Sequence, residues 1–173
     1  TAYLLDLTVA GEKPMVLTGA MRTASEPGAD GPANLWAAVR VAVAPEARGL
    51  GALVVFHDEV HAARFVTKTH TLSTGAFASP DFGPLGRVEG DRVVVPWRIA
   101  REVLDCPRLE ERVALIKLGV GMDAGPLEDA LARGARGVVL EGLGGGRIPP
   151  WWLETIGRAV EDGVTVVVAS RCG

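Results

Sequence analysis

Residues 17–42 read LTGAMRTASEPGADGPANLWAAVRVA, and residues 65–72, which follow a further hydrophobic segment, read FVTKTHTL. In the first stretch a strand ends on Gly19-Ala20-Met21, and a loop rich in glycine and proline leads into a helix. In the second stretch Lys68 stands between two threonines. Because ligands bind beyond the carboxyl ends of parallel strands, this combination predicts a small-molecule site at the mouth of a parallel sheet.

The first half of the chain has a strand–helix–strand order. Met15–Leu17 and Leu53–Phe56 are continuous apolar segments that predict buried strands. A helix is expected between them, from about Ala33 to a point before Gly49. This order makes the two strands parallel. Residues 58–71, which mix charged and apolar side chains, are expected to form an extended excursion.

A hairpin with Gly90 in its turn is predicted at the end of the first half. In the second half, short strands and helices alternate again. Strands are predicted at Val113–Ile116, Val138–Leu140 and Val164–Ala169, and helices at Pro126–Arg133 and Pro149–Glu161. A charged segment near Pro96 and Pro107 predicts a linker. The fold class expected is α/β, with two doubly wound parallel-sheet domains, residues 1–96 and 113–173, joined by the linker 97–112.

Both domains are expected to be truncated. Val164–Ala169 has the composition of a central strand, whose backbone groups need neighbours on both sides, and four residues follow it in this sequence. The first domain has two clear parallel strands, whereas an average sheet has about five or six.

The composition argues against several classes of function. Hydrophobic residues make up 48% of the 173 residues and the formal net charge is −3, without the basic patch that nucleic-acid binding requires. The longest apolar run is far shorter than a membrane span. Two isolated cysteines and the lack of a secretory signal favour a cytoplasmic protein.

Two clusters could indicate a bound ion, and both are better explained otherwise. Histidines and carboxylates gather at residues 57–61 and at His70, but their spacing fits no zinc pattern, so no metal is expected. The glycines of residues 142–146 lack the lysine of a phosphate-binding loop and favour a tight strand-to-helix crossover. Asp30-Gly31-Pro32 with Asn34 predicts an Asx-type turn before a helix, and Arg22 is expected to brace it through a salt bridge.

The motifs, in this order, resemble the L-asparaginase (asparaginase/glutaminase) family. The matching segments are TAYLLDLTV, VLTGAMR, GADGPANL, AAVRVA, VTKTHT and GPLG in the first half, and KLGVGMD, GARGVVLEGLGGG and VVVASR in the second. They span essentially all 173 residues. The resemblance implies an enzyme that hydrolyses the side-chain amide of L-asparagine, without a cofactor, and that assembles as a homodimer or homotetramer.

The resemblance also assigns two residues to the site. Lys68 matches the lysine of the family's Thr-Lys-Asp triad, and Ala20 matches the position whose backbone carbonyl faces the substrate amide. The family's nucleophilic threonine lies in motifs that this sequence does not contain, and Thr18, Thr67 and Thr69 do not match it. Gly121 stands where many relatives bring an asparagine to a neighbouring subunit.

A lysine is chemically suited to such a site. A threonine hydroxyl is a weak nucleophile that needs a base or a lowered pKa. Burial favours the neutral form of a lysine and a nearby aspartate favours the charged form, so Lys68 could move a proton or hold a hydroxyl in place. Two alternatives remain open: the amidotransferase subunit that supplies ammonia to misacylated tRNA, and a catalytically silent binding module.

Overall fold

A strand–helix–strand unit carries the glycine-rich loop. The computed structural model describes residues 1–172, and its first compact unit is Thr1–Cys106. That unit begins with helix α1 (Ala2–Thr8), strand β1 (Met15–Leu17), helix α2 (Gly31–Val43) and strand β2 (Ala52–Phe56). β1 and β2 pair in parallel, with Leu17 opposite Val54. The βαβ prediction is confirmed, and the carboxyl end of β1 opens into the loop.

Helix α2 packs on the sheet through small side chains. Ala37, Ala38 and Val41 form its buried face. Three larger aliphatic residues lie on the exposed face: Leu35, Val39 and Val43. The helix begins at Gly31, two residues before the predicted start, because Pro32 supplies a φ angle suited to the first turn.

Five further strands complete the first unit: β3 (Glu59–Ala62), β4 (Thr67–Lys68), β5 (Phe77–Ala78), β6 (Gly86–Glu89) and β7 (Arg92–Val94). The main sheet has the order β1-β2-β3-β6-β7, and β4 and β5 pair only with each other. Parallel pairing in the main sheet is confined to β1 and β2, since the other three pairs are antiparallel. The predicted hairpin is confirmed as β6–β7, with Gly90 at φ +57° in its turn.

The expectation of an extended excursion at residues 58–71 is wrong in its first part. Glu59–Ala62 turns back at once and pairs with β2, with Phe56 opposite Glu59. The turn residues His57 and Asp58 have φ angles of +52° and +61°, as a tight hairpin turn requires. The usual Asn-Gly signature of such a turn is absent, so the sequence pattern did not reveal it.

The segment after β7 has no regular structure up to Arg112, yet its first part is bonded to the first unit. Arg98 donates to the carbonyls of Glu46, at 3.0 Å, and Arg48. Arg101 forms an ion pair with the buried Asp6 of α1, with 3.0 Å between Nε and Oδ1. Residues up to Cys106 therefore belong to the first unit, which extends into the segment that we predicted as the linker 97–112.

The second unit, Pro107–Gly173, contains a three-stranded parallel sheet. Its elements are β8 (Val113–Lys117), α3 (Gly125–Ala132), β9 (Gly137–Gly142), α4 (Leu153–Glu161) and β10 (Thr165–Ser170), and the strand order is β10-β9-β8. Ile116, Leu127, Leu140 and Trp152 are at the centre of its core. The α/β class with parallel sheets is confirmed.

No helix among residues 1–172 is both long enough and apolar enough to cross a membrane.

Candidate active site

A cleft of about 280 Å³ opens at the carboxyl end of β1. Its wall is the chain from Leu17 to Met21, its floor includes Val54, Phe56 and Phe77, and Lys68 lies at its side. The structure therefore brings Ala20 and Lys68, which are 48 residues apart in the sequence, to one cleft. A larger cleft of about 500 Å³ runs along the side of β8 in the second unit rather than at the carboxyl ends of its strands.

Asn34 ties the wall of the cleft to helix α2 and to the β2–β3 turn. Its side chain is buried, and Nδ2 donates to the carbonyl of Gly19 and to Oδ2 of Asp30, both at 3.0 Å. Its Oδ1 accepts from the amide of His57, also at 3.0 Å. One side chain thus fixes the loop beside Ala20 and the turn that the sequence did not predict.

Asp30 holds the next two residues of the wall. Its carboxylate accepts hydrogen bonds from the amides of Met21, at 3.0 and 3.1 Å, and Arg22, at 2.9 Å. Burial by itself raises the pKa of Asp30, but these amide donors outweigh it, so the pKa lies below its usual value. Asp30 is therefore ionised at neutral pH and binds the loop as a charge.

The expected salt bridge of Arg22 is wrong. Its guanidinium donates to the carbonyls of Pro27 and Gly28, at 3.4 and 3.1 Å, while its backbone amide donates to Asp30. Arg22 does brace the loop, but it does so through main-chain acceptors, because the carboxylate of Asp30 already faces the amides of the wall.

The carbonyl of Ala20 stands apart from this network. The neighbouring carbonyl of Gly19 is bonded to Asn34, whereas none of the hydrogen bonds among residues 1–172 uses the carbonyl of Ala20. Ala20 is exposed and lines the cleft. A carbonyl in this position is an acceptor available to a ligand.

Lys68 lies at the cleft beside two aromatic rings. It pairs with Phe77 across the β4–β5 hairpin, and its Nζ is 5.7 Å from the centroid of that ring. Phe77 in turn packs against Phe56, with 4.6 Å between ring centroids. The face of an aromatic ring attracts an ammonium group, so Phe77 favours a position of Nζ above the floor of the cleft.

The hydroxyl groups of two threonines near the cleft are bonded to main-chain carbonyls. Thr18 Oγ1 donates to the carbonyl of Val55 at 2.6 Å, and Thr69 Oγ1 donates to the carbonyl of Ala76 at 3.2 Å. Both hydroxyl protons are therefore occupied by backbone acceptors. This agrees with the motif resemblance, which matches neither residue to the family's nucleophile.

Two buried polar residues that lie within hydrogen-bond distance of each other were missed by sequence reasoning. His61 is 0% exposed and its Nδ1 lies 3.0 Å from Oγ of Ser79. Burial lowers the pKa of His61, against the opposing effect of Glu59. The position of His61 between Val60 and Ala62 could have indicated a buried histidine, but only if β3 had been recognised as a strand.

Within residues 1–172 no group of three or more histidine, cysteine, aspartate or glutamate side chains is placed to hold a metal ion. His70 serves the hairpin instead, because its Nδ1 accepts from the amides of Leu72 and Ser73 at 3.1 and 2.9 Å.

In the second unit, Gly121 has a φ of +76° and no heavy atom lies within 4 Å of where its Cβ would be. Asparagine is among the few other residues that adopt this left-handed conformation with ease. The backbone here would therefore accommodate an asparagine.

Replacement of Asn34 by leucine is expected to lower the free energy of unfolding by about 2–3 kcal/mol, because the buried side chain of Asn34 makes three hydrogen bonds that leucine cannot make. Thermal unfolding followed by circular dichroism measures this. Leu35→Ala, at the next and exposed position of α2, is the matched control and should cost less than about 1 kcal/mol. Equal losses for the two variants would show that Asn34 does not hold the loop.

Comparison with known families agrees with the motifs. Residues 1–101 match the family described as "Asparaginase, N-terminal", and residues 112–173 match the "Glutaminase/Asparaginase C-terminal domain". Together the two matches cover nearly the whole chain.

Individual relatives give the same result. The chain is 40% identical to the "Probable L-asparaginase periplasmic" of Haemophilus influenzae, over 99% of this chain and 51% of the relative. It is 40% identical to "L-asparaginase 2" of Bacillus subtilis, over 100% of this chain and 48% of the relative. It is also 34% identical to one subunit of the glutamyl-tRNA(Gln) amidotransferase of Archaeoglobus fulgidus, over 99% of this chain and 43% of the relative. The chain thus spans about half the length of the curated relatives it matches. From its matched domains and these identities, the chain belongs to the asparaginase family.

Proposed function

We propose that this chain forms part of the active site of an amidohydrolase that converts L-asparagine to L-aspartate and ammonia. The observation that carries the proposal is the single cleft at the carboxyl end of β1 that both Ala20 and Lys68 line. The names of the asparaginase relatives support the same reaction.

The two residues have separate roles in the proposed reaction. The carbonyl of Ala20 accepts a hydrogen bond from the amide nitrogen of the substrate. Lys68 takes the proton of the attacking threonine hydroxyl and passes it on, so that the amide nitrogen leaves as ammonia. The resulting ester is then hydrolysed by water, which restores the hydroxyl. We place this threonine outside the 173 residues of the chain, since no threonine here matches it.

A second candidate function is the supply of ammonia within an amidotransferase, because relatives of that name match the chain at 34–36% identity. A protein partner and a tRNA would then be required. A binding module without catalysis is the third possibility. A homodimer or homotetramer and a cytoplasmic location stay predictions.

The test is ammonia release by the purified protein, after its intact mass has been determined. Release from free asparagine supports the proposal. Release from glutamine only when misacylated tRNA is present supports the amidotransferase. A mass well above 18.1 kDa leaves room for the threonine motifs. No release from any amide by a protein of that larger mass would contradict the hydrolase and support the silent module.

A further inference from the structure

The buried histidine on β3 lies beside the floor of the cleft, on the same face of the main sheet. His61 is opposite Val54 in the antiparallel pair of β2 and β3, and directly opposite residues project to the same face of a sheet. Val54 and Phe56, which share that face, line the cleft. The imidazole therefore lies on the face of the main sheet that also carries the cleft.

The partner of this imidazole is next to the other, smaller sheet in the chain. Ser79 directly follows β5, is 5% exposed, and its Oγ lies 3.0 Å from Nδ1 of His61. The β4–β5 hairpin shares no backbone pairing with the five-stranded sheet in the described residues. The short connection after β3 is bonded to that sheet, because the amides of Phe65 and Val66 donate to the carbonyl of Ala62. Beyond this connection, the position of the hairpin rests on side-chain contacts, among which are the His61–Ser79 hydrogen bond and the packing of Phe77 on Phe56.

The other nitrogen of the ring makes no comparable bond. Nε2 of His61 is 3.3 Å from Oε2 of Glu59, but it has no well-aligned hydrogen bond with the described residues. A buried polar group without its partner is costly, so the bond to Ser79 is the interaction that satisfies this imidazole. Loss of that bond would leave two buried polar atoms unpaired.

We propose that His61 is a positioning residue, whose hydrogen bond to Ser79 holds the β4–β5 hairpin against the main sheet and thereby places Phe77 and Lys68 at the cleft. The placement of the hairpin is a statement about the structure alone. Its effect on turnover rests on the proposed function, in which Lys68 moves a proton. A displacement of about 1 Å at a reacting group can lower a rate a hundredfold, so a loosened hairpin should affect kcat.

Three variants of the full-length protein test this inference. Ser79→Ala and His61→Leu each remove the bond, whereas His61→Asn keeps a polar atom near the place of Nδ1 and is the conservative rescue. Ser73→Ala is the matched control, because Ser73 lies in the same hairpin, is exposed, and its hydroxyl accepts a hydrogen bond from the amide of Gly75.

Hydrogen exchange of the hairpin amides, measured well below the unfolding temperature, is the first readout. We expect exchange at Thr69, whose amide donates to Ala76, to become at least about tenfold faster in Ser79→Ala and His61→Leu. Amides of β8 and β9 should be unchanged. Unchanged exchange at the hairpin in both variants would overturn the proposal, whether or not the protein hydrolyses asparagine.

Steady-state kinetics is the second readout. We expect Ser79→Ala and His61→Leu to lower kcat about ten- to a hundredfold with little change in KM, and His61→Asn to recover most of the loss. A purely structural role would lower thermal stability but leave kcat of the folded enzyme unchanged, and that result would overturn the positioning role. If the wild type shows no turnover, the proposed function fails while the exchange experiment still decides the placement of the hairpin.

Discussion

Replacement of Lys68 by alanine is expected to lower kcat for asparagine hydrolysis by about 10²- to 10⁴-fold, the range over which a positioned proton-transfer group contributes. Lys68 lines the cleft with Ala20, and its Nζ lies 5.7 Å from the centroid of the Phe77 ring. Because a threonine hydroxyl attacks poorly until its proton is removed, loss of this amine should affect the chemical step more than substrate binding. Rates of ammonia release at saturating asparagine measure the effect.

Two further variants separate this role from a general effect of charge. Lys68→Arg keeps a positive charge at this position, but a guanidinium is always protonated and cannot take the proton of the threonine, so this variant should be nearly as inactive as Lys68→Ala. Lys13→Ala removes an exposed lysine that does not line the cleft and should retain normal turnover. Since Lys68 is itself exposed, its variants should unfold within about 0.5 kcal/mol of the wild type. Near-normal turnover of Lys68→Ala would remove Lys68 from the proposed mechanism.

The α/β fold could be predicted because most of its strands are recognisable from the local sequence pattern alone. Leu53–Phe56 is apolar without interruption, as a strand covered on both faces must be, and β2 is buried throughout its length. Strand β3 could not be predicted in the same way, because its existence depends on a turn made by His57 and Asp58 in left-handed conformations. Asn34, which bonds the amide of His57, is 23 residues away in the sequence.

The residues of the candidate site also lack a local sequence signal. Ala20 and Lys68 could be named only through the resemblance to a family, since neither an alanine nor an exposed lysine is a signal by itself. Phe77 and His61 act through contacts with residues from other elements, Phe56 and Ser79, which no local pattern contains.

The burial of Asp6 could not be predicted either, because an acidic residue in an otherwise apolar helix would be expected to face the solvent.

The structure buries Asp6 and surrounds it with cations. Its side chain is 4% exposed and lies 3.0 Å from Nε of Arg101 and 3.2 Å from Nη2 of Arg64. Its Oδ1 also accepts from the amide of Ala52, at the start of β2, at 3.1 Å. A β-carbon at Gly51 would overlap both Asp6 and Arg101, so the glycine is needed for this close packing. The cluster joins α1, β2 and the segment after β7.

Replacement of Asp6 by leucine is therefore expected to lower the free energy of unfolding of the first unit by about 3–5 kcal/mol, since it leaves largely buried guanidinium groups without a counter-ion. Denaturant unfolding of the full-length protein, followed by circular dichroism, measures the change. Glu12→Ala removes an ion pair of similar length, 3.0 Å to Arg48, whose side chains are 75% and 59% exposed, and should cost less than about 1 kcal/mol.

The double variant Asp6→Leu with Arg101→Leu decides whether the cost comes from an uncompensated charge. If it does, the second substitution should recover part of the loss, because an apolar pair of similar volume replaces a buried ion pair at little cost. Arg101 also donates to the carbonyls of Asp6 and Gly11, at 2.8 and 3.3 Å, so recovery should be incomplete. Additive losses in the double variant would mean that Arg101 acts through these carbonyls, and that the ion pair itself does not anchor the segment after β7.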